Sequence, residues 1–98
     1  MIDVNKIRKD FPIYDIQPNI AYLDSAASSL KVRSVIKQVD HYYASMGVNV
    51  HRGAYELAYE ATKLYEDARS TVSSFIGAKA DEIIFTRGTT SALNLIAH

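Results

Sequence analysis

Residues 86–91, Thr-Arg-Gly-Thr-Thr-Ser, combine the residue types that bind an anion. They follow a β-branched and aromatic run at 82–86 that predicts a strand, and they precede an apolar helix start at 91–98. At such a junction the free N–H groups and the dipole of the helix start favour negative charge. Gly88 permits a tight turn, while Thr89 and Thr90 add hydroxyl donors. The pattern is compatible with a phosphate site, but taken alone it favours an ordinary helix start with Thr90 as N-cap.

A second candidate is the loop at 47–53, Gly-Val-Asn-Val-His-Arg-Gly, which glycines flank on both sides. The imidazole of His51 and the permanently charged guanidinium of Arg52 could both contact an anionic substrate. The plainer interpretation is a surface loop in which His51 caps a carbonyl and Arg52 is solvated. His41 and His98 have no second ligand at metal-binding spacing, so we expect no metal site.

Two amphipathic helices flank this loop. Apolar residues repeat at intervals of three and four from about Val32 to Met46, with Ser28 or Ser29 available as N-cap and Gly47 at the end. A longer stripe runs from Leu57 to Ile76 and is closed by Gly77. We expect one buried face on each helix. The opposite face of the second helix predicts an ordinary solvated surface, formed by Glu56, Glu60, Lys63, Glu66, Asp67 and Arg69.

The first thirty residues predict smaller elements. Asp3 opens a short amphipathic helix that carries Ile7 and Phe11 and stops before Pro12. Residues 19–23 are short and partly apolar, so they predict a brief strand that runs into the small-residue turn 24–27.

The run at 82–86 has the clearest strand pattern in the chain, and a buried strand without neighbours leaves its backbone groups unpaired. The final helix is apolar around most of its circumference, as expected for a helix buried on all sides. We therefore expect either a segment cut from a larger α/β protein or a chain that associates with itself.

Composition excludes several function classes. Eleven basic and eleven acidic residues cancel without forming a basic patch, so nucleic acid is not an expected partner. Residues 1–11 mix both charge signs and no apolar run approaches a membrane span, which predicts a cytoplasmic location. The chain has no cysteine, and neither the P-loop spacing nor the dinucleotide-binding glycine fingerprint occurs.

The order of four motifs carries a resemblance to a known family. They are Tyr-Leu-Asp-Ser-Ala-Ala at 22–27, Asn-Val-His-Arg-Gly at 49–53, Ala-Thr with Tyr-Glu-Asp-Ala-Arg at 61–69, and Ile-Ile-Phe-Thr-Arg-Gly-Thr-Thr-Ser-Ala-Leu-Asn at 83–94. In this order the chain resembles the start of the class V aminotransferase-type cysteine desulfurases and selenocysteine lyases. The resemblance covers essentially the whole chain; Val32, where similar proteins often have proline, is a modest departure.

The resemblance implies a cofactor, pyridoxal 5′-phosphate (PLP), whose phosphate is bound by Gly88, Thr89 and Thr90. It also implies that the segment containing Ala26 and Ala27 lines the substrate end of the active site. The loop with His51 and Arg52 would reach the active site of a dimer partner. In such enzymes a Schiff-base lysine, a nucleophilic cysteine and the remaining cofactor ligands follow this segment, so no residue here is expected to be catalytic.

The resemblance further implies an α/β fold: the N-terminal fragment of a fold-type I PLP-dependent transferase, mostly helical with one strand that needs external pairing. Residues 1–31 would form an arm and residues 32–98 the start of the cofactor-binding domain. The parent would be a homodimer that takes sulfur or selenium from a cysteine-like amino acid and passes it to an acceptor protein. Two alternatives stay open: a self-associating assembly module without catalysis, and a class V relative with other chemistry.

Overall fold

The computed structural model describes residues 2–97. The chain divides into two compact units, Met1–Gly47 and Val48–His98. The described residues of both units are helices joined by turns and extended segments, with no strand between residues 2 and 97. The mainly helical character expected from the sequence is confirmed. The expected division into an arm at 1–31 and a domain at 32–98 concerns the parent protein and stays a prediction.

The first unit opens with two short helices, α1 at Val4–Arg8 and α2 at Ile13–Ile16. The predicted start of α1 is confirmed, because the Asp3 side chain accepts a hydrogen bond from the backbone N–H of Lys6 at 3.1 Å. The helix ends at Arg8, earlier than Phe11, and Pro12 then serves as the N-cap of α2. A fixed proline φ suits that position, since a helix start needs no donor there.

The brief strand expected at 19–23 is wrong. Pro18 and Asn19 form a turn in which the Ile20 N–H donates to the Gln17 carbonyl at 3.2 Å. The Tyr22 hydroxyl lies within donating distance of the carbonyls of Asp24 and Ser28. These contacts hold residues 24–28 close to Tyr22. A strand needs a neighbouring backbone to pair with, and residues 19–23 pair with none among residues 2–97; the Ile20 carbonyl instead accepts a hydrogen bond from the Arg8 side chain at 3.4 Å.

Helix α3 spans Arg33–Ser45, in agreement with the predicted limits. Its N-cap is Val32 without a side-chain hydrogen bond, so the predicted cap at Ser28 or Ser29 is wrong. The Gly47 N–H donates to the Tyr42 carbonyl at 2.8 Å, as expected for a glycine that ends a helix. The predicted burial of one face is wrong for the part of the chain that the structure describes, because α3 has no buried residue and Val35 is 50% exposed.

The second unit contains α4 at Glu56–Ile76, a 3₁₀ turn at Ala80–Glu82, and α5 at Thr89–Ala97. Helix α4 ends at Gly77 in the left-handed conformation, as predicted. The expected strand at 82–86 is not formed: Glu82 belongs to the 3₁₀ turn, and Ile83 is extended but has no ladder partner within residues 2–97. The predicted end of the last helix at His98 lies outside the described residues.

A few small residues form the buried centre of the second unit. Ala58, Ala61 and Ser73 of α4 are buried together with Ile83, which follows the 3₁₀ turn. Helix α5 is not buried on all sides as expected, since Leu93 and Ile96 are exposed and nothing between residues 2 and 97 covers them. None of the helices in the described chain is both long and apolar enough to cross a membrane.

Candidate functional site

The turn that opens α5 has a backbone conformation that favours glycine. Gly88 has φ +155°, and a Cβ placed on it would meet no atom within 4 Å. The restriction is therefore on the backbone angle and not on space. The Thr86 hydroxyl donates to the Gly88 carbonyl at 3.2 Å, and the same carbonyl accepts the first helical hydrogen bond from the Ala92 N–H at 3.1 Å. Gly88 thus occupies the N-cap position of α5.

Three backbone donors of this turn face no partner in the described chain. Helix α5 begins at Thr89, so the N–H groups of Thr89, Thr90 and Ser91 precede its first internal hydrogen bond, and no group among residues 2–97 accepts from them. All three residues are exposed. Thr90 lies inside the helix, so the alternative that made it the N-cap is wrong. The turn presents free amides and two hydroxyls together, the arrangement that binds a phosphate or another anion.

The second candidate loop is anchored to the start of α4. His51 has φ +62°, which is uncommon for a residue other than glycine. Its backbone N–H donates to the Thr62 hydroxyl at 2.9 Å, and that hydroxyl donates to the Ala58 carbonyl at 2.7 Å. A Cβ on Gly53 would lie only 2.3 Å from the Ala58 Cβ and 2.7 Å from Cε1 of Tyr55. The close approach of loop and helix therefore requires glycine at position 53.

The His51 side chain turns onto α4. Its Nε2 lies 3.3 Å from Oε1 of Glu66, and its ring meets the Tyr65 ring edge-on at 5.5 Å between centroids. The interpretation in which His51 caps a carbonyl is wrong, because its partner is a carboxylate. Arg52 is exposed and has no hydrogen bond or ion pair with any described residue. Of the two cationic candidates, Arg52 is the one open to a ligand.

Glu66 and Arg69 belong to the face of α4 that the sequence predicts to be solvated, yet both are partly buried. The Arg69 Nε donates to Oε2 of Glu66 at 2.9 Å, and only 20% of the Arg69 side chain is exposed. Its second donor, Nη1, donates to the Ile83 carbonyl. Hydrogen bonding to Glu66 raises the pKa of Arg69, so the guanidinium stays charged. The prediction of an ordinary solvated surface is wrong at these two positions.

Aromatic contacts join the same residues. Tyr65 meets Phe85 edge-on at 5.2 Å between ring centroids, and the Arg69 guanidinium lies 5.3 Å from the Tyr65 ring and 5.1 Å from the Phe85 ring. The sequence signal for this cluster was available but not specific: a Tyr-Glu pair three residues before an arginine, followed by Phe85 after the next turn. Only the folded chain shows that these residues meet.

The two alanines expected at the substrate end lie in the first unit. Ser25, Ala26 and Ala27 form a turn in which the Ala27 N–H donates to the Asp24 carbonyl at 3.2 Å. Both alanines are exposed. In the second unit, the structure brings the His51 loop and the segment that leads into Gly88 onto one helix, α4. No three His, Cys, Asp or Glu side chains gather into a metal site within the described chain.

Residues 21–98 match the family described as aminotransferase class V. The match covers well over half of the chain. The chain belongs to the class V aminotransferase family. The family predicted from the order of the four sequence motifs is therefore confirmed.

Relatives of this class V chain are named as cysteine desulfurases. A probable cysteine desulfurase of Staphylococcus aureus is 51% identical over 100 residues, which are 98% of this chain and 24% of that protein. One of Mycolicibacterium paratuberculosis is 48% identical over 102 residues, 100% of this chain and 15% of that protein. The apo structure of a cysteine desulfurase from Thermococcus onnurineus NA1 matches with a TM-score of 0.86 and 41% identity, over 99% of this chain and 24% of that structure.

The class V chain thus spans about a quarter or less of the relatives that it matches. It corresponds to the N-terminal part of a PLP transferase fold, as the sequence predicted.

Proposed function

We propose that this chain supplies the phosphate-binding turn and part of the substrate entrance of a PLP-dependent cysteine desulfurase-like enzyme. One observation carries the proposal: Gly88 opens α5 in a glycine-favoured conformation and leaves the amides of Thr89, Thr90 and Ser91 without partners in the described chain. A phosphate group satisfies such donors and interacts favourably with the helix dipole.

The residues present fit the phosphate of the cofactor. The space around Gly88 is open, and the two threonine hydroxyls that follow it are exposed. When bound, PLP supplies an electron sink for breaking a bond to the substrate's α-carbon. Gly88, Thr89 and Thr90 bind its phosphate and so hold the ring in one orientation. The turn 25–27, with Ala26 and Ala27, offers small exposed side chains at the substrate entrance, and Arg52 offers a free cation for an anionic group.

The parent enzyme would remove sulfur or selenium from cysteine or selenocysteine and pass it to an acceptor protein. We propose a homodimer in which His51 and Arg52 reach the partner's active site. The class V resemblance supports this assignment, and the exposure of Arg52 is compatible with it. Because the chain has no cysteine, and because Lys37 and Lys63 lie at exposed helix positions and Lys79 in an exposed loop, we propose that these 98 residues are inactive alone.

The proposal is tested by titrating the ¹⁵N-labelled chain with inorganic phosphate and with pyridoxine 5′-phosphate. The second compound is the alcohol analogue of PLP, so it cannot react with surface lysines. We expect both to shift the amide resonances of Thr89, Thr90 and Ser91 before any others. Thr89→Val and Thr90→Val remove one hydroxyl donor each and should weaken binding several-fold.

Thr71→Val is the matched control for the titration. The Thr71 hydroxyl lies on α4 and donates to the Asp67 carbonyl at 2.9 Å, away from the turn. The control should bind phosphate as the unchanged chain does. Resonance shifts spread over the lysines and arginines, without preference for residues 89–91, would contradict the phosphate assignment. Sulfide release from cysteine by the isolated chain would contradict its proposed inactivity.

A second candidate, a self-associating assembly module, is favoured by the uncovered apolar residues. Phe75 at the end of α4 is 91% exposed and Ile96 of α5 is 81% exposed, beyond what single scattered surface residues explain. The two candidates differ in their ligand. An assembly module forms oligomers and does not bind phosphate at residues 89–91, whereas a desulfurase segment binds it whether or not it associates. A class V relative with other chemistry would share the phosphate turn and differ in its substrate.

A further inference from the structure

The segment that leads into the phosphate turn is held by very few contacts. Residues 83–86 have no ladder partner in the described chain, and of these four residues only Ile83 is buried. Phosphate binding depends on where Gly88 and the start of α5 lie, because preorganised donors act only at the right distance. Whatever fixes residues 83–85 therefore controls the geometry of the turn.

Arg69 makes two different contacts to this segment. Its Nη1 donates to the Ile83 carbonyl, and its guanidinium lies 5.1 Å from the Phe85 ring. A charged donor to a carbonyl is among the stronger hydrogen bonds in proteins, and a planar guanidinium can keep it while stacking on a ring. Lysine, with a single ammonium group, could not bond to Glu66 and Ile83 in the same fork geometry.

The other side of Arg69 leads to the His51 loop. Glu66 uses one oxygen for Arg69 at 2.9 Å and the other for His51 at 3.3 Å. Tyr65 forms a parallel aromatic link, with its ring 5.5 Å from the His51 ring and 5.2 Å from the Phe85 ring. Two chains of contact, one through Glu66 and one through Tyr65, thus join the loop to the segment before the turn.

We propose that Arg69, with Glu66 and Tyr65, is a positioning residue that ties the phosphate-binding turn to the His51 loop, so that ordering one orders the other. The inference that the turn binds phosphate rests on the proposed function, whereas the connection through Arg69, Glu66 and Tyr65 does not depend on it. Arg69 itself touches no ligand. It acts through Ile83 and Phe85 on Gly88, and through Glu66 on His51.

The link is tested on the full ¹⁵N-labelled chain by amide hydrogen exchange in Arg69→Met, Arg69→Lys and the control Lys63→Met. Lys63 also forms an ion pair on α4, with Asp67 at 2.8 Å, but it is exposed and contacts neither segment. The two reporters are the Ala92 N–H, bonded to the Gly88 carbonyl, and the His51 N–H, bonded to the Thr62 hydroxyl.

We expect Arg69→Met to speed exchange at both reporters about tenfold, as the loss of a charged hydrogen bond predicts. Arg69→Lys should recover only a small part of the protection, and Lys63→Met should change nothing. Amides in the middle of α4 should keep their rates in all variants. Unchanged rates at Ala92, a uniform increase along α4, or no protection of Ala92 in the unchanged chain would each overturn the proposal.

Inorganic phosphate separates this proposal from the proposed function. Phosphate should slow exchange at His51 as well as at Ala92 in the unchanged chain, and Arg69→Met should abolish the effect at His51. If the unchanged chain does not bind phosphate at residues 89–91, the proposed function fails, and the comparison without phosphate still decides the role of Arg69.

Discussion

Alanine variants of Ile83 and Ile84 measure how much the buried centre contributes to the free energy of unfolding of the second unit. They are neighbours of the same type, yet Ile83 is 9% exposed and Ile84 is 68% exposed. Full burial of an isoleucine side chain contributes about 1.5–3 kcal/mol, and truncating a buried isoleucine to alanine typically costs about 2–5 kcal/mol. Because the buried centre is small and its walls can relax, we expect Ile83→Ala to lie at the low end, near 2 kcal/mol.

Ile84→Ala is the control, and it should change the free energy of unfolding by less than about 0.5 kcal/mol. The assay is urea unfolding followed by the helical circular dichroism signal at low protein concentration. With a denaturant dependence of about 1 kcal/mol per molar urea for a small chain, Ile83→Ala should lower the midpoint by about 2 M. The midpoint of Ile84→Ala should stay close to that of the unchanged chain.

Equal midpoints for the two variants would refute the reasoning, because they would mean that Ile83 is not part of a packed centre. A larger effect of Ile84→Ala would refute it in a specific way: the outward face of residues 83–86 would then be covered in solution by another copy. A gradual loss of signal in the unchanged chain, without a transition, would show that the small centre does not fold cooperatively.

Three further outcomes are expected. Gly88→Ala should weaken inorganic phosphate binding at least about fivefold in the amide titration, because alanine rarely adopts φ +155°; unchanged affinity would contradict that geometry. Gly53→Ala should lower the urea midpoint and shift the His51 amide resonance, since the new methyl group would lie 2.3 Å from the Ala58 Cβ and clash with it; an unchanged His51 resonance would refute the close approach. At high protein concentration the chain should be oligomeric by light scattering, and Ile96→Glu should shift the species toward monomer; a monomer at every protein concentration would contradict this expectation.

Local patterns in the sequence were sufficient for α3 and α4, for the start of α1 and for the glycine turn before α5. The three-and-four spacing located α3 and α4 to within one or two residues, and Asp3 and Gly77 marked a helix start and a helix end. These signals are read within one or two turns of backbone, where spacing and capping decide the structure. The glycine at position 88 was likewise identified from the residue type that a tight turn before a helix requires.

Predictions that depended on distant partners were less successful. The apolar stripe of α3 suggested a buried face, and the run at 82–86 suggested a strand, but burial and pairing both need a second surface. Neither surface lies within residues 2–97, so Val35 is half exposed and Ile83 is extended without a ladder.

The sequence by itself determined the family, the helical segments and the residues that offer an anion its donors, because each depends on residue types at short, fixed spacings. Only the tertiary structure decided that His51 turns onto Glu66 and that Arg69 leaves the solvated face to hold residues 83–85. Position 69 follows helical spacing like any exposed arginine, and nothing local distinguishes it. The distinction arises because the chain after Gly77 turns back along α4. It places the Ile83 carbonyl and the Phe85 ring within reach of the Arg69 guanidinium.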